Sequence, residues 1–283
     1  MTTDFASSAT VLGYLGPAGD HNEKPNEAVP LLLQASGAAC NRTSHLLGHA
    51  FTRLEQTSSE HLDGAREQLA SYAAAVIEQL KAGHGVVCVN GRCATSLATV
   101  PAVMSIHPDA VLVWLDAHAD RNVPGGSPTD YLGGMAVSGP LGWWDSGLGT
   151  GLTPERLVLV GTRSIDDAEQ ELIERHQIPV LTPEESDGTT LNQIVGGRPV
   201  YFHIDCDVLE PGLFQTDYHE PDGLTLGQLE DLALALAQGS DIVGVEIAEW
   251  EGRGSHDADD LLSALAPLLR ALEHPPAGVV DDR

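Results

Sequence analysis

One stretch constrains the fold more than any other: an apolar run that ends abruptly in acid, Val111–Asn122, reading VLVWLDAHADRN. Val111 to Leu115 is of strand length and shows no polar alternation, the pattern of a strand covered on both faces in a parallel sheet. Asp116, His118 and Asp120 then fall at its carboxyl end, which is where ligands bind in open α/β sheets. Carboxylate oxygens and an imidazole nitrogen at every second residue suit a divalent cation. A polar loop after a strand would show the same residue types, so the stretch needs context.

A second stretch supplies that context. Val200 to Ile204 reads as another strand, and Asp205, Cys206 and Asp207 follow it. With one residue between them on an extended backbone, the two carboxylates point the same way and repel unless they share a cation. Around these stretches, apolar runs alternate with segments of helical spacing. Strands are expected at Thr10 to Leu15, Val86 to Val89, Leu157 to Val160, Ile178 to Leu181 and Asp241 to Ala248. Helices are expected over Asn26 to Gln34 with Asn26 as cap, Ser58 or Ser59 to Ala82, Ala94 to Ile106 with a break or kink near Pro101, Ile165 to His176, Thr189 to Val195, Thr225 to Ala237 and His256 to Leu272. The region from Cys40 to Thr57 gives no clear pattern. Regular alternation of this kind predicts an α/β protein: one three-layer α/β/α domain over residues 1–283 with a mainly parallel sheet.

DAHAD followed by DCD resembles the arginase or ureohydrolase family of binuclear manganese hydrolases. The resemblance implies an arginase-like fold in which Asp116 and Asp205 bridge two Mn2+ ions, Asp120 completes one site, and His118 with Asp207 complete the other. VGVEIAEWE, residues 243–251, resembles the family's last strand, whose terminal Glu faces the guanidinium; that role falls to Glu249. GTRSIDDAE, residues 161–169, resembles the segment whose Asp meets the substrate's α-amino group, here Asp166. Asn122 and Thr129 stand where family members grip the α-carboxylate. Asp120 would pass a proton to the departing amine, which makes Asp120 and Glu249 the candidate catalytic residues.

Two departures from the family pattern carry as much information. The first metal-binding His is expected after the strand ending at Val89, yet the chain reads Asn90, Gly91, Arg92, Cys93. Cys93 is either a thiolate ligand, which suits manganese less well than imidazole does, or a small buried apolar residue that ligates nothing; in both cases the metal site beside it is expected to be weak or partly empty. The proton-shuttling His of a Leu-His-Gly turn is replaced in Leu132, Gly133, Gly134, leaving the room an imidazole would fill. A Cys at the first-ligand position, and the stretch from Tyr131 to Gly151, resemble a side branch of the family that acts on Nω-hydroxy-L-arginine. The expected substrate is therefore a small guanidino amino acid, hydroxyarginine before arginine, giving L-ornithine and hydroxyurea. Agmatine or guanidinobutyrate would leave Asn122, Thr129 and Asp166 unpaired, and a noncatalytic metal-binding member would not need every acid that remains. His219 is a lesser candidate for substrate contact, and Trp143 and Trp144 are read as packing residues.

Charge narrows the partners. Lys plus Arg is 14 against 41 Asp plus Glu, a formal charge of -27, which repels nucleic acid and anionic membrane. The start, MTTDFASSAT, lacks the order of a signal peptide, and no apolar run reaches membrane length. Four cysteines without a CxxC pair fit a reduced, cytoplasmic protein. A homo-oligomer is compatible with all of this.

Overall fold

The computed structural model describes residues 9–52, 56–126 and 130–273. Eight strands form one sheet in the order β2-β1-β3-β8-β7-β4-β5-β6, where β1 is Thr10–Leu15, β2 Ser44–Gly48, β3 Val86–Asn90, β4 Val111–Leu115, β5 Leu157–Val160, β6 Val180–Leu181, β7 Val200–Asp205 and β8 Ile242–Ala248. All pairings are parallel. Helices cover both faces, as an unalternating apolar strand requires. Along β4, Val111, Val113 and Leu115 enter one apolar layer and Leu112 and Trp114 enter the other. The first layer is closed by α1 (Pro25–Ala39), α5 (Gly188–Val195), α6 (Leu226–Gly239) and α7 (Ser255–Glu273), the second by α2 (Ser58–Lys81), α3 (Ser96–Ile106) and α4 (Asp167–His176). Each large apolar side chain so buried contributes about 1.5–3 kcal/mol.

Local chemistry sets the helix ends. Thr57 and Glu60 form a capping box at the start of α2, and Thr225 with Gln228 does the same for α6, satisfying amide groups that the helix itself leaves unpaired. Two expectations fail. Asn26 does not cap α1, which begins a residue earlier on Pro25; the Asn26 amide instead clamps the Phe51 backbone, at 2.7 and 3.0 Å. Of the break or kink expected near Pro101, the break does not occur: α3 runs through it to Ile106. The unread region holds β2, a largely exposed edge strand whose SHLLG sequence lacks the apolar run of the buried strands.

What this topology does for function is simple. Strands β3, β8, β7 and β4 are neighbours, and their carboxyl ends deliver residues from positions 93, 249, 205 and 116 to one place.

Candidate active site

Asp116 follows β4 directly and is fully buried. Its Oδ2 accepts from Trp114 Nε1 at 3.0 Å and its Oδ1 from the His118 amide at 2.7 Å, so the carboxylate is fixed before any ligand arrives. His118 Nδ1 lies 3.3 Å from Asp116 Oδ1 and 3.1 Å from Asp207 Oδ2. Asp207 accepts from the Ala117 amide at 3.2 Å, and its own amide donates to Asp205 Oδ1 at 2.8 Å. Asp120 and Glu249 both occupy left-handed backbone, at φ 51° and 59°, a conformation that costs a non-glycine residue of order 1 kcal/mol and recurs at sites where side-chain aim matters.

Cys93 opens a short 3-10 turn after β3 and is 2% exposed. Its Sγ donates to Asp205 Oδ2 at 3.1 Å and lies 3.4 Å from His203 Nε2. That imidazole stacks on Trp114 at 3.5 Å and pairs through Nδ1 with Glu246 at 3.2 Å. Burial pushes the Cys93 thiol well up, and the charges of Asp205, Glu249 and Asp116 push it further. Without a cation, burial and these acids keep the proton on sulfur.

Arg92, beside Cys93, is the largest departure from the sequence reading. It is 1% exposed and its guanidinium meets three carboxylates: Asp20 at 3.0 Å, Glu249 at 2.8 Å and Glu251 at 3.1 Å. Glu249 Oε1 also accepts from the Cys93 amide at 2.8 Å, so both of its oxygens carry a protein donor. Burial raises Glu249 to about 7, against the pull of Arg92 and the Cys93 amide.

The candidate ligands fall into overlapping groups with ligand atoms within 4.8 Å of one another: Cys93 with Asp116 and Asp120, Cys93 with Asp205 and Glu249, and Asp116 with His118 and Asp207. Burial, reinforced by neighbouring acids, raises Asp120, Asp205 and Asp207. Burial works against the proton on His118, but its hydrogen bonds to Asp116 and Asp207 prevail and raise it. Four buried carboxylates around one imidazole are costly without a counter-charge. Their oxygens fit divalent cations, which remove that cost.

A pocket of about 180 Å³ opens over these groups. Cys93, His118, Asp120, Asp205, Asp207 and Glu249 line it on the cluster side; Asn122, Ser164, Asp166 and Glu169 also line it, as do Tyr131 and Tyr218. Asn122 Nδ2 donates to Asp166 Oδ2 at 3.1 Å, and Glu169 takes the Asp166 amide at 3.1 Å. Thr129 lies outside the described residues. His219 is exposed and does not line the pocket, whereas its neighbour Tyr218 does. Trp143 packs on His176 and Arg121, and Trp144 bonds Ser138; neither reaches the pocket. Gly133 leaves no room: a Cβ built on it would stand 2.4 Å from the Tyr131 ring. Arg92, Tyr131, Glu169, His203 and Tyr218 were missed, though a His inside an apolar strand and an Arg in a buried-strand turn were visible signals.

A parallel sheet whose adjacent strand ends gather carboxylates suited to divalent cations defines an α/β protein with a candidate metal centre. Residues 32–267 match the model of the arginase family, and the chain belongs to that family. It is 42% identical over 225 residues to the N(omega)-hydroxy-L-arginine amidinohydrolase of Streptomyces lavendulae, covering 80% of this chain and 81% of that one. An arginase of Schizosaccharomyces pombe is 27% identical over 195 residues, 62% of this chain and 59% of that enzyme. Among solved structures, the arginase from Bacillus subtilis superposes with a TM-score of 0.81 at 18% identity, over 93% of this chain and 98% of that one. The proclavaminate amidino hydrolase from Streptomyces clavuligerus gives 0.72 at 19%, over 95% and 93%. Those two likenesses establish the fold.

Proposed function

We propose that this protein hydrolyses the hydroxyguanidine group of Nω-hydroxy-L-arginine to L-ornithine and hydroxyurea, in the cytoplasm and with manganese. The observation that carries the reading is the occupancy of Glu249. A carboxylate that already pairs with Arg92 has no unmet need for a substrate cation, which favours the less basic N-hydroxylated group over the guanidinium of arginine, protonated at all working pH. The similarity to the Streptomyces lavendulae enzyme supports the same choice.

Asp116 and Asp205 would hold both cations, Asp120 and Cys93 the first, His118 and Asp207 the second. When bound, divalent cations lower the pKa of water and so make a nucleophile available at neutral pH. The chain's own groups do the rest. Asp166, oriented by Asn122, meets the α-amino group, and Asn122 meets the α-carboxylate. Glu249 faces the reacting carbon's nitrogens. Water adds to that carbon, the bond to the δ-nitrogen breaks, and Asp120 carries the proton released by water to the departing ornithine amine.

The test is product analysis with hydroxyarginine and arginine side by side on manganese-loaded protein. Hydroxyurea release with the higher kcat/KM is expected. Urea release from arginine at an equal or higher kcat/KM would overturn the assignment.

A further inference from the structure

The space where the family resemblance puts an imidazole is taken by a phenol from two residues upstream. A Cβ on Gly133 would lie 2.4 Å from Tyr131 Cε1, 2.7 Å from Cζ and 2.9 Å from Oη, so the absence of a side chain at 133 is what admits the Tyr131 ring. The ring is held in place: His21 lies against it at 4.3 Å and Tyr218 at 6.0 Å, and His21 is anchored by Asp217 at 2.9 Å. Tyr131 lines the pocket together with Cys93, Asp120 and Glu249. Its hydroxyl oxygen is buried and has no hydrogen-bond partner among the described residues.

A hydroxyl offers one donor and two acceptor positions, and buried hydroxyls in native proteins are almost always paired. An unpaired hydroxyl on a residue that lines a ligand pocket is a place for a ligand atom. Arginine offers nothing extra at that end of the molecule; an N-hydroxyl group offers an oxygen that both donates and accepts. We propose that Tyr131 Oη pairs with the N-hydroxyl group of the substrate and is the residue that selects a hydroxyguanidine over a guanidine. The inference rests on the function proposed above. A site built to meet a polar substituent rejects the analogue that lacks it, because the site's own group is then left unpaired.

The experiment compares wild type with Tyr131→Phe, which keeps the ring, and Gly133→Ala, whose added carbon must displace it. Tyr131→Phe should lower kcat/KM for hydroxyarginine about 10- to 100-fold, the range set by loss of one buried hydrogen bond, and leave any turnover of arginine within about threefold. Gly133→Ala should shift the ratio the same way. A second arm measures calorimetric affinity of the manganese-loaded protein for N-hydroxyguanidine and guanidine, probes that need no turnover. Wild type should prefer the hydroxylated probe, and Tyr131→Phe should lose that preference. Equal losses for both substrates, or a preference unchanged by Tyr131→Phe, would overturn the inference. If wild type releases no hydroxyurea, the proposed function fails, and the probe arm alone decides Tyr131: no preference in wild type refutes it.

Discussion

The two sides of the acidic cluster share Asp116 but are prepared for a cation very differently. On one side, His118 already sits between Asp116 and Asp207 within 3.3 Å of each. On the other, Cys93 keeps its proton, donates it toward Asp205, and is surrounded by burial and negative charge. An arriving cation displaces a proton from either ligand, but the thiol holds its proton because the site is dry, whereas the imidazole holds its own through carboxylates the cation would itself take over. The difference teaches that ligand identity alone does not set affinity; what the ligand is bonded to beforehand matters as much.

The largest test of this contrast removes one ligand from each side. His118→Asn should lower manganese affinity by more than the roughly 10- to 100-fold typical of losing a supporting partner, while Cys93→Ser should change it less than tenfold, read as metal per chain at fixed free manganese. Equal losses would break the comparison. A smaller effect is expected from Cys93→His. Each unit by which the thiol pKa stands above the working pH withholds about tenfold of the ligand-competent form, so an imidazole should raise occupancy on that side at least about tenfold, narrowing the gap. Loss of occupancy instead would mean that the pocket around Cys93 cannot seat an imidazole.

The smallest effect is on stability. Burial, opposed by Arg92, leaves Asp20 at about 6 and Glu249 at about 7, above ordinary values of 3.8 and 4.5. Between those limits the folded, metal-free protein binds more protons than the unfolded chain, so these two acids support the fold below the ordinary values and that support is lost as pH rises through 6 and 7. The Tm of metal-free protein should therefore fall between about pH 5 and about pH 7.5, and the Tm gain on adding manganese should grow over the same window. A gain that shrinks with rising pH would contradict the raised acids.

Much of the fold was legible because apolar strands without alternation have one home, the middle of a parallel sheet, and β4, β7 and β8 announce themselves in that way. Asp116, His118, Asp120, Asp205 and Asp207 were legible for a related reason: charge at the end of such a strand has nowhere else to go. β2 was not, since SHLLG at an exposed edge has no apolar run to read. The site's second set of residues was hidden too. Arg92 reads as an ordinary turn residue until Asp20, Glu249 and Glu251, remote in sequence, are seen to converge on it. Tyr131 was hidden because the sequence shows an absent histidine side chain at Gly133, and only packing shows what fills the gap.

The Arg92 network also has a bearing on how the protein becomes active. Arg92 reaches Glu249 across 157 residues, and Lys24 reaches Glu251 across 227. A chain made from its amino end presents Lys24 and Arg92 long before Glu249 and Glu251 exist, and domains acquire their contacts as the chain emerges. Of its three carboxylate partners the guanidinium has only Asp20 until β8 is made and inserts between β3 and β7. A late step of synthesis thus closes the sheet and completes the Arg92 network, so a nascent chain halted before β8 holds the first metal motif in full and yet has no working pocket.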